Sequence, residues 1–349
     1  MTPEPASVCV FAPNWLGDAV MALPAIADVR RCWPTAQVVV AARASVASLF
    51  EMVPGVDTVA PLAARGRSLT PGVGGDVAIL LPNSFAIAWL SRRAGLAERW
   101  GYATDWRAPL LTRAVPRPRA SMHQGRYYQH LTAALGIPSG PLEPRVEVPD
   151  ALQQEARALL TAAGWDGRQP LVAMAPGAAY GTAKRWLPRH FARVIGELAT
   201  GHGTRAVLVG SAGDAETIRM IAGDPAVRAG QPIDLAGRTS LKTLAGVLAV
   251  SAACVSNDSG AMHLAGAIGT PIVALFGPTR EAETAPLTRA GGRADVLINP
   301  VWCRPCMLRE CPLDHRCMRG LSPERVLQTV ARALSGPRGE ADKPRPTPV

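Results

Sequence analysis

Short continuous apolar runs alternate with helical-period segments along most of the chain. The runs fall at 7–12, 37–42 and 77–81, and again at 171–175, 205–209, 233–235, 253–256 and 271–276. Strands apolar at successive positions, with no polar side to show water, suit a parallel sheet covered on both faces. Helical patterns lie near 18–31, 188–200, 213–223, 240–250 and 259–268. This alternation predicts a doubly wound α/β architecture built twice over. Pro138, Gly140, Pro141, Pro144 and Pro149 mark a linker between the halves. The expected division is a domain at 1–150, a second at 151–335 and a disordered tail at 336–349, which has almost no apolar content. Two Rossmann-like domains facing one another place a ligand in the cleft between their strand carboxyl ends.

Composition narrows the field. With 349 residues, 48% hydrophobic and 18% charged, the chain can bury two cores and is not a disordered protein. Aromatics are only 5%, so Ala, Val, Leu and Ile fill those cores. The 33 Gly and 32 Pro follow no period, which excludes collagen-like sequence. The net charge is +10, and half of it sits at 99–126, where six arginines face the single acid Asp105. No consecutive basic run and no aromatic RNA-binding signature accompanies them, so nucleic acid is not an expected partner. Residues 1–7 lack a signal-peptide pattern, and the longest apolar stretches, 244–255 and 264–277, are too short and interrupted to span a bilayer. A cytosolic protein touching a membrane face is expected. Its seven Cys would be reduced, metal-bound or catalytic.

Four segments carry candidate chemistry. Pro13-Asn-Trp-Leu-Gly-Asp18 follows the first strand, where Asp18 either caps a helix or stands at the cleft rim as a functional carboxylate. Pro176-Gly-Ala-Ala-Tyr-Gly-Thr-Ala-Lys-Arg-Trp186 opens the second half. Thr182, Lys184 and Arg185 on this thin loop suit a diphosphate, or a solvated turn. Asn257-Asp-Ser-Gly-Ala-Met-His263 enters an Ala- and Gly-rich helix whose free N–H groups attract anions, while Asp258 or Ser259 is also a plausible plain cap. Cys303, Cys306, Cys311 and Cys317, with His315 among them, suit a structural zinc or iron–sulfur centre, or are simply reduced thiols of a loop. Cys9, Cys32 and Cys254 read as core residues. No G-x-S-x-G or H-E-x-x-H segment is present.

Taken together with Leu81-Pro-Asn-Ser-Phe85, Val209-Gly-Ser-Ala212 and Pro271-Ile-Val-Ala-Leu-Phe-Gly-Pro278, these segments resemble the lipopolysaccharide heptosyltransferases of glycosyltransferase family 9, nearest the type that extends a heptose already on the core. The likeness runs from residue 8 to about 334. It implies a GT-B fold with the nucleotide sugar on the C-terminal domain, and a final helix, 322–335, packed back on the N-terminal domain. It implies Asp18 as general base and Lys184 with Thr182 at the donor diphosphate. Asp258, Ser259, Gly260 and His263 would hold the donor's phosphates and sugar. Ser211 belongs to the donor side, and either Asp214 or Glu216 meets the adenosine ribose. On the acceptor side it directs attention to Asn14 and to Arg107, Arg113, Arg117, Arg119, His123 and Arg126. The implied partners are ADP-heptose and a Kdo- and heptose-bearing lipid A at the inner face of the inner membrane.

No D-x-D pair stands at a strand end, so metal-independent transfer is expected, with no cofactor required for catalysis. Transfer to a different core acceptor, a nucleotide-sugar epimerase and a non-catalytic binding module are the competing readings.

Overall fold

The computed structural model describes residues 4–62 and 75–335. The tail expected to be disordered, 336–349, lies outside the described residues. Twelve strands form two parallel sheets among the described residues. The first holds β1 (Ser7–Phe11), β2 (Gln37–Arg43), β3 (Thr58–Leu62), β4 (Val77–Leu80), β5 (Glu98–Tyr102) and β6 (Arg113–Val115), in the order β3-β2-β1-β4-β5-β6. The second holds β7 (Leu171–Ala175), β8 (Arg205–Leu208), β9 (Ile233–Asp234), β10 (Ala253–Asn257), β11 (Ile272–Phe276) and β12 (Ala294–Ile298), in the order β12-β11-β10-β7-β8-β9. Read from the other edge, this is the same winding, so both halves are doubly wound Rossmann-type sheets.

Alternation along the strands explains why both faces are buried. In β1, Val8 and Val10 join one apolar cluster while Cys9 and Phe11 join another. In β7, Leu171 and Ala173 share the cluster of Val8 and Val10, and Val172 and Met174 face the opposite layer. One apolar core therefore runs through both domains, and each sheet has a second core on its outer face. Cys9 and Cys254 are fully buried, and burial pushes both thiols up to about 12, as plain core residues require.

Three features differ from the sequence expectation. The helix expected at 18–31 is two helices, Leu16–Met21 and Leu23–Cys32, because Pro24 has no N–H to continue the first one. The final helix, Pro323–Ser335, does not return to the N-terminal domain. Its buried stripe of Val326, Val330 and Ala333 packs on the helix Pro188–His202 and on β10 and β11. The proline-rich linker is pinned rather than loose. Buried Asp28 on the helix Leu23–Cys32 accepts from the backbone N–H of Gly140 at 3.0 Å and from Gln129 Nε2 at 2.9 Å. Beyond the linker, the helix Asp150–Ala162 packs on the helix Leu241–Val250 of the second domain. No helix among the described residues is long and apolar enough to cross a membrane.

Candidate active site at the interdomain cleft

In a doubly wound sheet, the chain turns back across the sheet between two neighbouring central strands, and the loops leaving them splay apart to form a crevice. Here those strands are β1 and β4 in one domain and β7 and β10 in the other. The segments that follow them, 12–18, 81–85, 176–186 and 257–263, are the ones singled out by sequence.

On the C-terminal side, Lys184 ends a single turn, Thr182–Lys184, and its Nζ lies 2.6 Å from Asp258 Oδ2. The pair is nearly enclosed, with side-chain exposures of 12% and 5%. Thr279 donates to the same carboxylate oxygen at 2.7 Å, and the Tyr180 ring lies 4.7 Å from the ammonium. Asn257 ties the two loops together, donating to the Pro176 carbonyl at 2.6 Å and accepting from Trp186 N–H at 3.1 Å. Neither Asp258 nor Ser259 caps the following helix, Gly260–Ile268. Ser259 Oγ instead bonds Ser256 Oγ at 3.0 Å, which leaves the helix N-terminus without a side-chain cap. Such an end carries free N–H groups and positive dipole charge.

Asp18 approaches from the other domain. The N-cap of its helix is Trp15, so Asp18 lies inside the first turn and performs no capping. Its carboxylate has no hydrogen-bond partner among the described residues. Burial holds its pKa above the usual carboxylate value; the Lys184 cation pulls it down and the Asp258 anion pushes it up. A general base works only when deprotonated. The acid limb of kcat/KM is therefore expected to fall at a pH above that of an ordinary aspartate and to be lost in Asp18→Asn. A pH profile of both enzymes checks this.

Two glycines let the helices carrying these groups meet across the cleft. A Cβ on Gly17 would sit 2.9 Å from the His263 ring, and one on Gly260 would sit 2.8 Å from Leu16 Cβ. His263 is buried in this seam. Burial pushes its pKa down to about 4, so the ring is neutral, and its Nδ1 is without a partner. Tyr128, fully enclosed and close enough to sense the Asp18 charge, also borders this seam.

Asp214 and Glu216 are separated by their surroundings. Asp214 is buried in a capping box, accepting from the Ser211 N–H at 3.0 Å and from Ser211 Oγ at 2.7 Å, with Arg185 Nη2 at 3.5 Å. Glu216 is exposed in the first turn of the helix Ala215–Ala222 and has no polar partner among the described residues.

The cysteine-rich loop covers the donor loop. Ala183 N–H donates to Arg309 O at 3.0 Å, Tyr180 OH to Met307 O at 2.8 Å, and the Arg309 guanidinium stacks over Tyr180 at 5.2 Å. Gly181 is required there, because a Cβ would stand 2.2 Å from Arg309 O. Arg304 anchors the loop through Gly277 O at 2.9 Å and Glu281 at 2.8 Å. Cys303, Cys306, Cys311 and Cys317 are free thiols, and Cys317 is buried among apolar groups while Cys306 faces solvent. Among the described residues no group of three or more His, Cys, Asp or Glu is placed to hold a metal.

The arginine-rich segment divides. Arg107 is fully buried, which corrects its expected place among acceptor contacts. Its Nε donates to Tyr102 O at 2.8 Å and its Nη1 to Pro82 O, so the guanidinium staples two loops together. Burial lowers its pKa to about 10. His123 is also committed. Its Nδ1 accepts from Gly125 N–H at 3.1 Å, capping the helix Gln124–Ala134, so Nε2 carries the proton donated to Ala285 O in the other domain at 2.9 Å. Arg113, Arg117, Arg119 and Arg126 are exposed, and Asn14 is half-buried at the rim. Arg107→Ala is expected to cost about 2–4 kcal/mol of stability, since it opens a cavity and takes the donor from Pro82 O, while Tyr102 O keeps only the Thr104 N–H. Arg119→Ala is expected to stay within about 0.5 kcal/mol of the parent. Denaturant unfolding of both variants measures the contrast.

The comparison with known proteins decides the family. The model of glycosyltransferase family 9 (heptosyltransferase) matches residues 70–316. The chain belongs to glycosyltransferase family 9. Lipopolysaccharide heptosyltransferase 2 of Salmonella typhimurium is 30% identical to this family 9 enzyme over 94% of the chain and 98% of its own length. Lipooligosaccharide heptosyltransferase 2 of Haemophilus ducreyi is also 30% identical, over 94% and 99%. Among solved structures, ADP-heptose lps heptosyltransferase II of E. coli superposes with a TM-score of 0.79 at 28% identity, covering 94% of this chain and 98% of that one. The two facing Rossmann-type domains are thus those of a GT-B glycosyltransferase, and transfer of a glycosyl group is its activity.

Proposed function

We propose that this enzyme moves a heptose from ADP-L-glycero-D-manno-heptose onto the heptose of the lipopolysaccharide inner core, at the cytoplasmic face of the inner membrane. The observation that carries the mechanism is Asp18, an unpartnered carboxylate held opposite the Lys184 ammonium. Asp18 takes the proton of the acceptor hydroxyl as that oxygen attacks the anomeric carbon. The bond from that carbon to the diphosphate breaks on the opposite face, and ADP leaves with the electron pair, so the anomeric configuration inverts. Lys184 exchanges the Asp258 carboxylate for the diphosphate, and the uncapped N–H groups at Gly260 accept the remaining charge. Glu216, exposed and unpaired, is the better placed of the two acids for the ribose, since Asp214 is occupied by Ser211. Lys184 and the helix end supply the leaving-group stabilisation that a metal provides elsewhere, so turnover is independent of added metal. ADP release measured with and without acceptor, in the presence of chelator, tests the proposal. Acceptor-dependent release is expected; release or donor rearrangement without acceptor would assign the site to an epimerase or hydrolase instead.

A further inference from the structure

The helix Phe85–Arg93 turns an unusual face to solvent. Its buried positions are Ile87, Ala88, Leu90 and Ser91, so the exposed stripe carries Phe85 and Trp89, followed by Arg92 and Arg93. The two rings stack on one another 6.5 Å apart, each nearly half exposed. Trp106 lies in the loop that follows β5 and is 95% exposed. These are large apolar groups that folding leaves in water.

Topology brings them together with charge. Phe85 follows β4, Trp106 follows β5, and Arg117 and Arg119 follow β6. These three strands are neighbours and parallel, so all four residues emerge at the same carboxyl edge of the sheet. Arg117 is steadied over the Tyr127 ring at 5.9 Å, and its guanidinium has no carboxylate partner among the described residues. Amphipathic rings with guanidinium groups around them suit the headgroup layer of an anionic bilayer, where the rings reach the acyl boundary and the cations meet phosphates.

We infer that this edge, centred on Phe85, Trp89 and Trp106 and flanked by Arg117 and Arg119, is the surface through which the enzyme docks on an anionic lipid bilayer. Docking there sets the mouth of the cleft at headgroup level beside β1 and Asp18. The inference does not depend on the sugar transferred, and vesicles without glycolipid test it separately from the catalytic reading.

The full chain is sedimented with phosphatidylglycerol-containing vesicles and with pure phosphatidylcholine vesicles. Preference for the anionic vesicles is expected, weakening as salt is raised. The double variant Trp89→Ala/Trp106→Ala is expected to lose about tenfold or more of this partitioning, with an unchanged thermal midpoint because both rings are exposed. Arg117→Ala/Arg119→Ala is expected to lose about tenfold on anionic vesicles and little on neutral ones. No partitioning by the parent chain would overturn the inference. So would partitioning that both variants retain, or a self-associated parent chain that the Trp variants dissociate without a change in vesicle binding.

Discussion

Replacing Asp18 by asparagine is expected to lower kcat by about three orders of magnitude while leaving ADP affinity within about twofold. The substitution is isosteric and touches a carboxylate that makes no hydrogen bond among the described residues, so it removes the proton acceptor and little else. Binding of the nucleotide rests on the other domain. The same change has a second, independent readout. Burial raises the folded-state pKa of Asp18 above its unfolded value, so the native state binds the proton more tightly. Stability from this group is present at low pH and is lost as pH rises from the unfolded pKa through the folded one. At neutral pH the ionised carboxylate therefore opposes folding, and Asp18→Asn is expected to raise the thermal midpoint as it abolishes turnover. A variant that loses activity and stability together would indicate a structural role instead.

Lys184→Ala is the other large effect. Removing the ammonium leaves the Asp258 carboxylate nearly enclosed with only Thr279 against it, a change worth about 3–5 kcal/mol of stability. Loss of the cation at the leaving group adds a fall in kcat of about two to three orders of magnitude. The two effects separate in Lys184→Met/Asp258→Asn, which has no buried charge to strand. The double variant is expected to recover the parental unfolding midpoint while its kcat stays about two to three orders of magnitude below the parent. Recovery of turnover with the fold would remove Lys184 from the mechanism.

How the fold was legible depends on where a strand lies. Central strands such as β7 and β11 are buried at every position, and their unbroken apolar runs announced them. Three of the four edge strands did not; the fourth, β9, showed at 233–235, while the interior β5 was missed because it opens on the charged Glu98 and Arg99. β3 is exposed at Thr58 and Pro61, β6 has three residues, and β12 buries only Leu297. Pattern fails there because a sheet edge asks for less burial.

The site shows the same division. Loops leaving the central strands were visible because turns need small residues and strands end abruptly. The pairing of Lys184 with Asp258 and Thr279 was not, since the partners are far apart in sequence and meet only through the sheet order. Arg107 reads like its exposed neighbours until its guanidinium is seen bonded to the carbonyls of Tyr102 and Pro82. The loop that carries the cysteines also makes backbone contacts to Tyr180 and Ala183, which no spacing rule encodes.

The most direct measurement is heptose transfer from ADP-heptose to two acceptors that differ only in whether the Kdo-bearing lipid A already carries one heptose. Transfer confined to the heptose-bearing acceptor, with one heptose added in the inverted anomeric configuration, is the predicted result. Equal transfer to the acceptor that lacks heptose, or a product that retains the donor's configuration, would contradict it.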